Sequence, residues 1–248
     1  MSGNAARILI VDDEPDTCAN LSDILSDLGY QVDTAHDGFA ALELVEQNTY
    51  DIALLDLRMP GMDGLELYRR IRKASAGTVA IVVTAYASSD TAKSVLSAGA
   101  WKLLPKPVNI GNLLHLVSDA LEAPLVLVVD DDCELCDNLW EILHERGYRV
   151  CTAHDVPEAE KKLRGRKFHI VLIDMKLPAG DGHQVLLALR QADKEARSIL
   201  ITGCAGEMES KVQQALEAGA NAVCYKPFDV DKLLSMVQEL SVRAADAK

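Results

Sequence analysis

Apolar residues in this chain fall into short, dense runs: ILIV at 8–11, IALL at 52–55 and VAIVV at 79–83. Each run stops at a polar residue, Asp12, Asp56 and Thr84 in turn. Runs of this length bounded by turn signals read as strands buried on both faces, the habit of parallel sheets. The segments between them carry helical punctuation. Pro15 suits the first turn of a helix over 15–28, which Gly29 closes. Helices are also predicted over 38–47, from just after Gly64, over 90–98 and over 110–121, with strands over 30–35 and just before Lys106-Pro107. Strand and helix alternate five times, which predicts a parallel sheet covered by helices on both faces.

The pattern then returns. LVLVV at 125–129 leads to Asp130, IVLI at 170–173 to Asp174, ILI at 199–201 to Thr202, and VCY at 223–225 to Lys226-Pro227. Asp12/Asp130, Asp56/Asp174 and Thr84/Thr202 share an offset of 118 residues, whereas Lys106/Lys226 are 120 apart. The chain is therefore predicted to be a tandem of two α/β domains, 1–122 and 123–248. Each is expected to be a flavodoxin-like, doubly wound (βα)5 unit with a parallel five-stranded sheet of order 2-1-3-4-5. Only Glu122-Ala123-Pro124 joins them, a short stiffened connection that predicts a restricted mutual orientation. After about Leu240 the tail is small and polar.

Composition narrows the function. Hydrophobic residues make up 49% of the chain but aromatic ones only 4%, so the cores are aliphatic. A formal net charge of −13 and a pI near 4.9, with no long basic run expected in either half, argue against nucleic acid or an anionic membrane as partner. No apolar stretch approaches the roughly 18 residues of a membrane helix, and the first run leads straight into Asp12, so a cytoplasmic location is expected. Six cysteines without a disulfide spacing fit a reducing compartment. Cys133 and Cys136 form a CxxC, but their repeat equivalents are Pro15 and Cys18. A small, half-buried helix residue is expected there instead of a redox pair. His36 and His154 are also equivalents, expected as polar loop residues. Trp101 is either an exposed contact or partly buried against the fourth helix.

In the 2-1-3-4-5 order, strands one and three are neighbours. Asp12, Asp13 and Asp56 then converge on the edge where open α/β sheets hold ligands. Clustered carboxylates repel unless a cation lies among them. An all-oxygen, highly charged donor set suits Mg²⁺, which readily shares its shell with a phosphate. The Thr84 hydroxyl and the Lys106 ammonium, from the next two strands, are partners for phosphoryl oxygens. Together these groups make a site for phosphoryl transfer onto Asp56 and, in the repeat, onto Asp174.

The motifs IVDDE, LLDLRMPGMDG, VVTAY and PKP in the first half, and VVDDD, LIDMKLPAGDG, LITGC and YKPF in the second, carry a family likeness. Each half resembles the receiver domain of bacterial two-component response regulators, over about 6–122 and 125–241. The resemblance implies that Asp56 and Asp174 take phosphoryl groups from a histidine kinase or a histidine phosphotransfer protein. It implies Mg²⁺ on Asp12, Asp13, Asp56 and the Arg58 carbonyl, and on Asp130, Asp131, Asp174 and the Lys176 carbonyl. Thr84 and Thr202 would move towards the phosphoryl group, and Lys106 and Lys226 would pair with it. The Lys-Pro bond that follows is often cis in the family, and the small Ala85 and Gly203 would leave the group open to water. The usual dimer face is helix four, strand five and helix five, which makes a homodimer there an expectation. Output would pass to a downstream protein partner. No enzymatic turnover is expected beyond the protein's own phosphorylation and dephosphorylation.

Two departures stand out. Leu103 and Val223 occupy the place of the family's usual Tyr or Phe, so the standard aromatic relay to that face is missing. Arg58 and Lys176 put a long cation two residues after each acceptor, able to fold back on the acids of a metal-free site and expected to weaken Mg²⁺ affinity in at least one domain. The rival readings are the receiver part of a larger hybrid kinase or regulator, a phosphate sink, and a Mg²⁺-dependent aspartyl-phosphate phosphohydrolase. The last wants a DxDx[T/V] loop, which IVDDEPD does not supply. No Gly-rich loop follows the first strand to cradle a nucleotide.

Overall fold

A computed structural model describes residues 5–74, 77–85, 88–178, 180–203 and 209–245. The chain divides into two compact units, Met1–Ala123 and Pro124–Lys248. In the first, β1(Arg7–Val11), α1(Pro15–Asp27), β2(Gln31–Ala35), α2(Gly38–Gln47), β3(Ile52–Asp56), α3(Gly64–Ala74), β4(Val79–Thr84), α4(Ser89–Ser97), β5(Lys102–Pro105) and α5(Ile110–Glu122) follow one another. The strands form a parallel sheet of order β2-β1-β3-β4-β5.

The apolar runs explain both layers, because successive residues of a strand face opposite sides of the sheet. Ile8, Ile10, Ile52, Leu54, Val79 and Ile81 pack against Cys18, Leu21 and Leu25 of α1 and Leu113, Val117 and Ala120 of α5. Leu9, Val11, Ala53, Leu55, Ala80 and Val82 meet Ala41 and Val45 of α2, Leu67, Tyr68 and Ile71 of α3, and Val95 of α4. Central β3 is buried throughout, whereas edge strand β2 is largely open. Trp101 is half-buried and packs on the cluster at the α1/α5 side of the sheet.

The second unit repeats the plan with β6(Leu125–Val129), α6(Cys133–Glu145), β7(Arg149–Ala153), α7(Val156–Gly165), β8(Ile170–Asp174), β9(Lys176–Leu177), β10(Gly180–Asp181), α8(Gly182–Ala192), β11(Arg197–Thr202), α9(Glu209–Glu217), β12(Ala222–Tyr225) and α10(Val230–Ala245). Its main sheet runs β12-β11-β8-β6-β7, the same order counted from the other edge. Two features depart from expectation. The loop after Asp174 closes into a small antiparallel hairpin, β9 with β10, which no alternating apolar pattern announces. The last helix continues past the expected end near Leu240 to Ala245. Residues 246–248 lie outside the described ones. No helix among the described residues is long and apolar enough to cross a membrane.

Candidate functional site

Strand register delivers the acids to one place. Val11 pairs with Leu55, so the next residues, Asp12 and Asp56, leave the sheet side by side. Asp56 pairs with Val83 and Thr84 pairs with Pro105, which puts Thr84 and Lys106 on the same edge. In the second unit Val129 pairs with Ile173, Ile201 with Asp174, and Thr202 with Tyr225. One carboxylate oxygen from each of Asp12, Asp13 and Asp56 lies within 4.8 Å of the others, and the same holds for Asp130, Asp131 and Asp174. In each triplet the middle residue is exposed and the outer two are buried.

A lysine sits on each buried pair. Lys106 Nζ is 2.7 Å from Asp12 Oδ2 and 3.1 Å from Asp56 Oδ2. Lys226 Nζ is 2.7 Å from Asp130 Oδ2 and 2.8 Å from Asp174 Oδ2. Main-chain N–H groups take the other oxygens. Glu14 donates to Asp12 Oδ1 at 3.0 Å, Arg58 to Asp56 Oδ1 at 3.4 Å, Asp132 to Asp130 Oδ1 at 3.0 Å and Lys176 to Asp174 Oδ1 at 3.0 Å. Burial pulls the lysine pKa values down, yet hydrogen bonds to two carboxylates outweigh it and leave both ammonium groups above their ordinary range. Burial also pushes Asp130 up, and contact with Lys226 only partly offsets it. The two shifts pull opposite ways on one ion pair. Lys226 holds two carboxylates while Asp130 and Asp174 share one cation, so the pair keeps the proton on the ammonium. Three carboxylates and one ammonium leave each cluster negative, with hard oxygen donors only. That is the donor set Mg²⁺ takes.

Thr84 and Thr202 are both buried at their strand ends, and Thr202 Oγ1 has no hydrogen-bond partner among the described residues. A buried hydroxyl left this way is costly unless a ligand can use it. Ala85 and Gly203 are exposed beside them. The Lys106-Pro107 and Lys226-Pro227 bonds are cis. Arg58 and Lys176 are exposed, and the lysine before each proline is seated on the buried acid pair. Leu103 and Val223 are half-buried, and Leu103 packs on the core under α2, α3 and α4.

The structure gives two pairs of repeat equivalents a role that the sequence did not show. His36 Nδ1 lies 3.4 Å from the Asp12 carbonyl oxygen, and His154 Nδ1 3.2 Å from that of Asp130. The thiols of Cys18 and Cys136 donate to the same two carbonyls, at 3.4 and 3.3 Å. Both pairs thus fix the backbone under the acids, and their shared repeat offset was the available signal. Cys136 is fully buried rather than half-buried, and burial pushes its thiol up to about 12, while Cys133 is exposed. That is a structural thiol, not half of a redox pair.

Comparison with known proteins agrees with this geometry. A family model described as the response regulator receiver domain matches residues 8–118 and again 126–238. A response regulator receiver protein of Anaeromyxobacter sp. (strain Fw109-5) is 36% identical over 234 residues, covering 94% of each chain. The transcriptional regulatory protein ZraR of Klebsiella oxytoca is 39% identical over 121 residues, 49% of this chain but only 27% of its own length. Among solved structures, a CheY-like receiver domain protein from Methanospirillum hungatei JF-1 is 35% identical with a TM-score of 0.46, covering 48% of this chain and 95% of that one. The chain belongs to the response regulator receiver family of two-component systems and carries two copies of the domain.

Proposed function

We propose that both domains are phosphoacceptors, Asp56 in the first and Asp174 in the second, charged by a phosphohistidine on a histidine kinase or phosphotransfer protein. The observation that carries this reading is the twofold occurrence of one arrangement, two buried carboxylates bridged by a lysine with a third acid beside them. In the transfer a carboxylate oxygen of Asp56 bonds to phosphorus as the P–N bond to the donor imidazole breaks, and the imidazole leaves with its electron pair and takes up a proton. Lys106 shifts its hydrogen bonds from Asp56 to the arriving phosphoryl oxygens, and buried Thr84 offers its hydroxyl to another. Asp12, Asp13 and Asp56, with the Arg58 carbonyl, would hold Mg²⁺. Asp130, Asp131 and Asp174, with the Lys176 carbonyl, would do so in the second domain. Bound there, the ion would supply positive charge against the transferring group. Phosphorylation then biases a two-state equilibrium that a downstream protein in the cytoplasm reads. The protein acts as a switch, with no turnover beyond its own phosphorylation and hydrolysis.

Incubation with a small phosphodonor and Mg²⁺ should add phosphoryl mass to the intact chain. EDTA should abolish the gain, and Mg²⁺ returned in excess should restore it. Labelling that survives EDTA would remove the metal from the account. Arg58→Ala and Lys176→Ala should each tighten Mg²⁺ binding at their own site, read by titration calorimetry, since each removes a nearby positive charge. An unchanged Kd in both would show that these cations do not oppose the metal.

A further inference from the structure

Helix α7 and the residues just after it read KKLRGRK over 161–167, five cations in seven positions of a chain whose formal net charge is −13. The equivalent positions one repeat earlier, 43–49, read ELVEQNT, with two carboxylates and no cation. Two of the cations reach back along the helix: Lys162 Nζ lies 2.7 Å from Glu158 and Arg164 Nη1 3.4 Å from Glu160. Lys161, Arg164 and Lys167 are nevertheless exposed, as are Glu43 and Glu46 on α2. Phe39 lies at the head of the same α2 face and is 59% exposed. Both faces are built on ten-residue helices in equivalent places of the repeat. They share a backbone plan and oppose each other in charge.

We propose that the α2 face of one copy of this chain docks on the α7 face of a second copy. Glu43 and Glu46 meet Lys161, Arg164 and Lys167, and Phe39 is the apolar anchor. Exposed ion pairs by themselves contribute little affinity, but opposed patches set orientation and speed encounter. A buried aromatic side chain is the kind of group that supplies the remainder. Every copy carries both faces, so each copy can supply either side of the contact. A second copy is the occupant the chain's own charges specify, because the acidic face that matches the basic α7 face lies at the equivalent place in the same chain. The inference does not depend on the phosphoacceptor reading.

Sedimentation velocity of the full chain over a range of concentrations tests it, with three samples beside the wild type: E43K/E46K, K161E/R164E/K167E and their equimolar mixture. Wild type should associate, and added salt should weaken the association as the screening length falls from about 10 Å at 0.1 M to about 3 Å at 1 M. Each charge-reversed chain alone should lose about tenfold or more in affinity, since like faces now oppose. The mixture should recover it, because one chain then offers two basic faces and the other two acidic ones. Circular dichroism melts establish that both variants fold, and the two reversals lie in different domains. A wild type that stays monomeric overturns the proposal. So does an association indifferent to either reversal, as a dimer through α4, β5 and α5 would be, or a mixture that fails to recover.

Discussion

Replacing Gly64 or Gly182 by alanine should destabilise the domain that carries it by about 2 kcal/mol or more, the upper part of the range for overpacking. A Cβ built on Gly64 would lie 2.2 Å from the Asp56 carbonyl oxygen, and one on Gly182 would lie 2.3 Å from that of Asp174. Both obstacles are backbone, so no side chain can swing aside. The close approach has a reason: α3 and α8 begin against the ends of β3 and β8, and Gly64 N–H donates to the Leu57 carbonyl at 3.0 Å. Relieving the clash would push the helix away from the strand end and carry the acceptor's neighbours with it. Domain melting temperatures should fall by about 10 °C, and phosphoryl acceptance should fall at the affected site only. Gly165→Ala is the control, since a Cβ there meets nothing within 4 Å; a change within about 0.5 kcal/mol is expected. Unchanged melting of Gly64→Ala and Gly182→Ala would mean that the helix starts are not pinned to the strand ends.

The second large effect concerns the lysines. Lys106→Met and Lys226→Met should each slow phosphorylation at their own site by about a hundredfold, the usual cost of losing one preorganised donor to a reacting oxygen. Mg²⁺ binding should move the other way. Without the ammonium, the Asp12/Asp56 or Asp130/Asp174 pair loses the positive charge that competes with the metal, so affinity should rise while reactivity falls. A lysine that merely held the fold would weaken both together. The pH dependence has a definite sign too. Both ammonium groups titrate above the ordinary lysine range, so raising the pH from 7 to about 9 should leave the wild-type rate without a step from this group. A loss of rate centred near pH 8 would show that the contacts to the carboxylates do not hold the proton.

Much of this was legible in the sequence because fully buried parallel strands leave an unmistakable trace. Strands such as IALLD over Ile52–Asp56 cannot be amphipathic, and their polar terminators mark the sheet edge where chemistry collects. The repeat offset then made each acid vouch for its equivalent. What escaped was set by tertiary placement. The β9–β10 hairpin has two residues per strand, too few to show a period. The full burial of Cys18 and Cys136 depends on helix α1 or α6 lying over the acid loop, where the thiol finds a carbonyl to donate to. The cation on each acid pair is the lysine before the proline, because β5 and β12 run beside β4 and β11 and point it inward. The basic run at 161–167 corrects the expectation that neither half carries one: a net charge of −13 is a sum, and a sum says nothing about one helix face.

The central claim is that the chain carries two independent acceptor sites. Intact mass after exposure to a small phosphodonor and Mg²⁺, on wild type, Asp56→Asn, Asp174→Asn and the double variant, tests it most directly. The account predicts two phosphoryl groups on wild type, one on each single variant and none on the double. A single substitution that abolished all labelling, or a wild type that never exceeded one group, would contradict it.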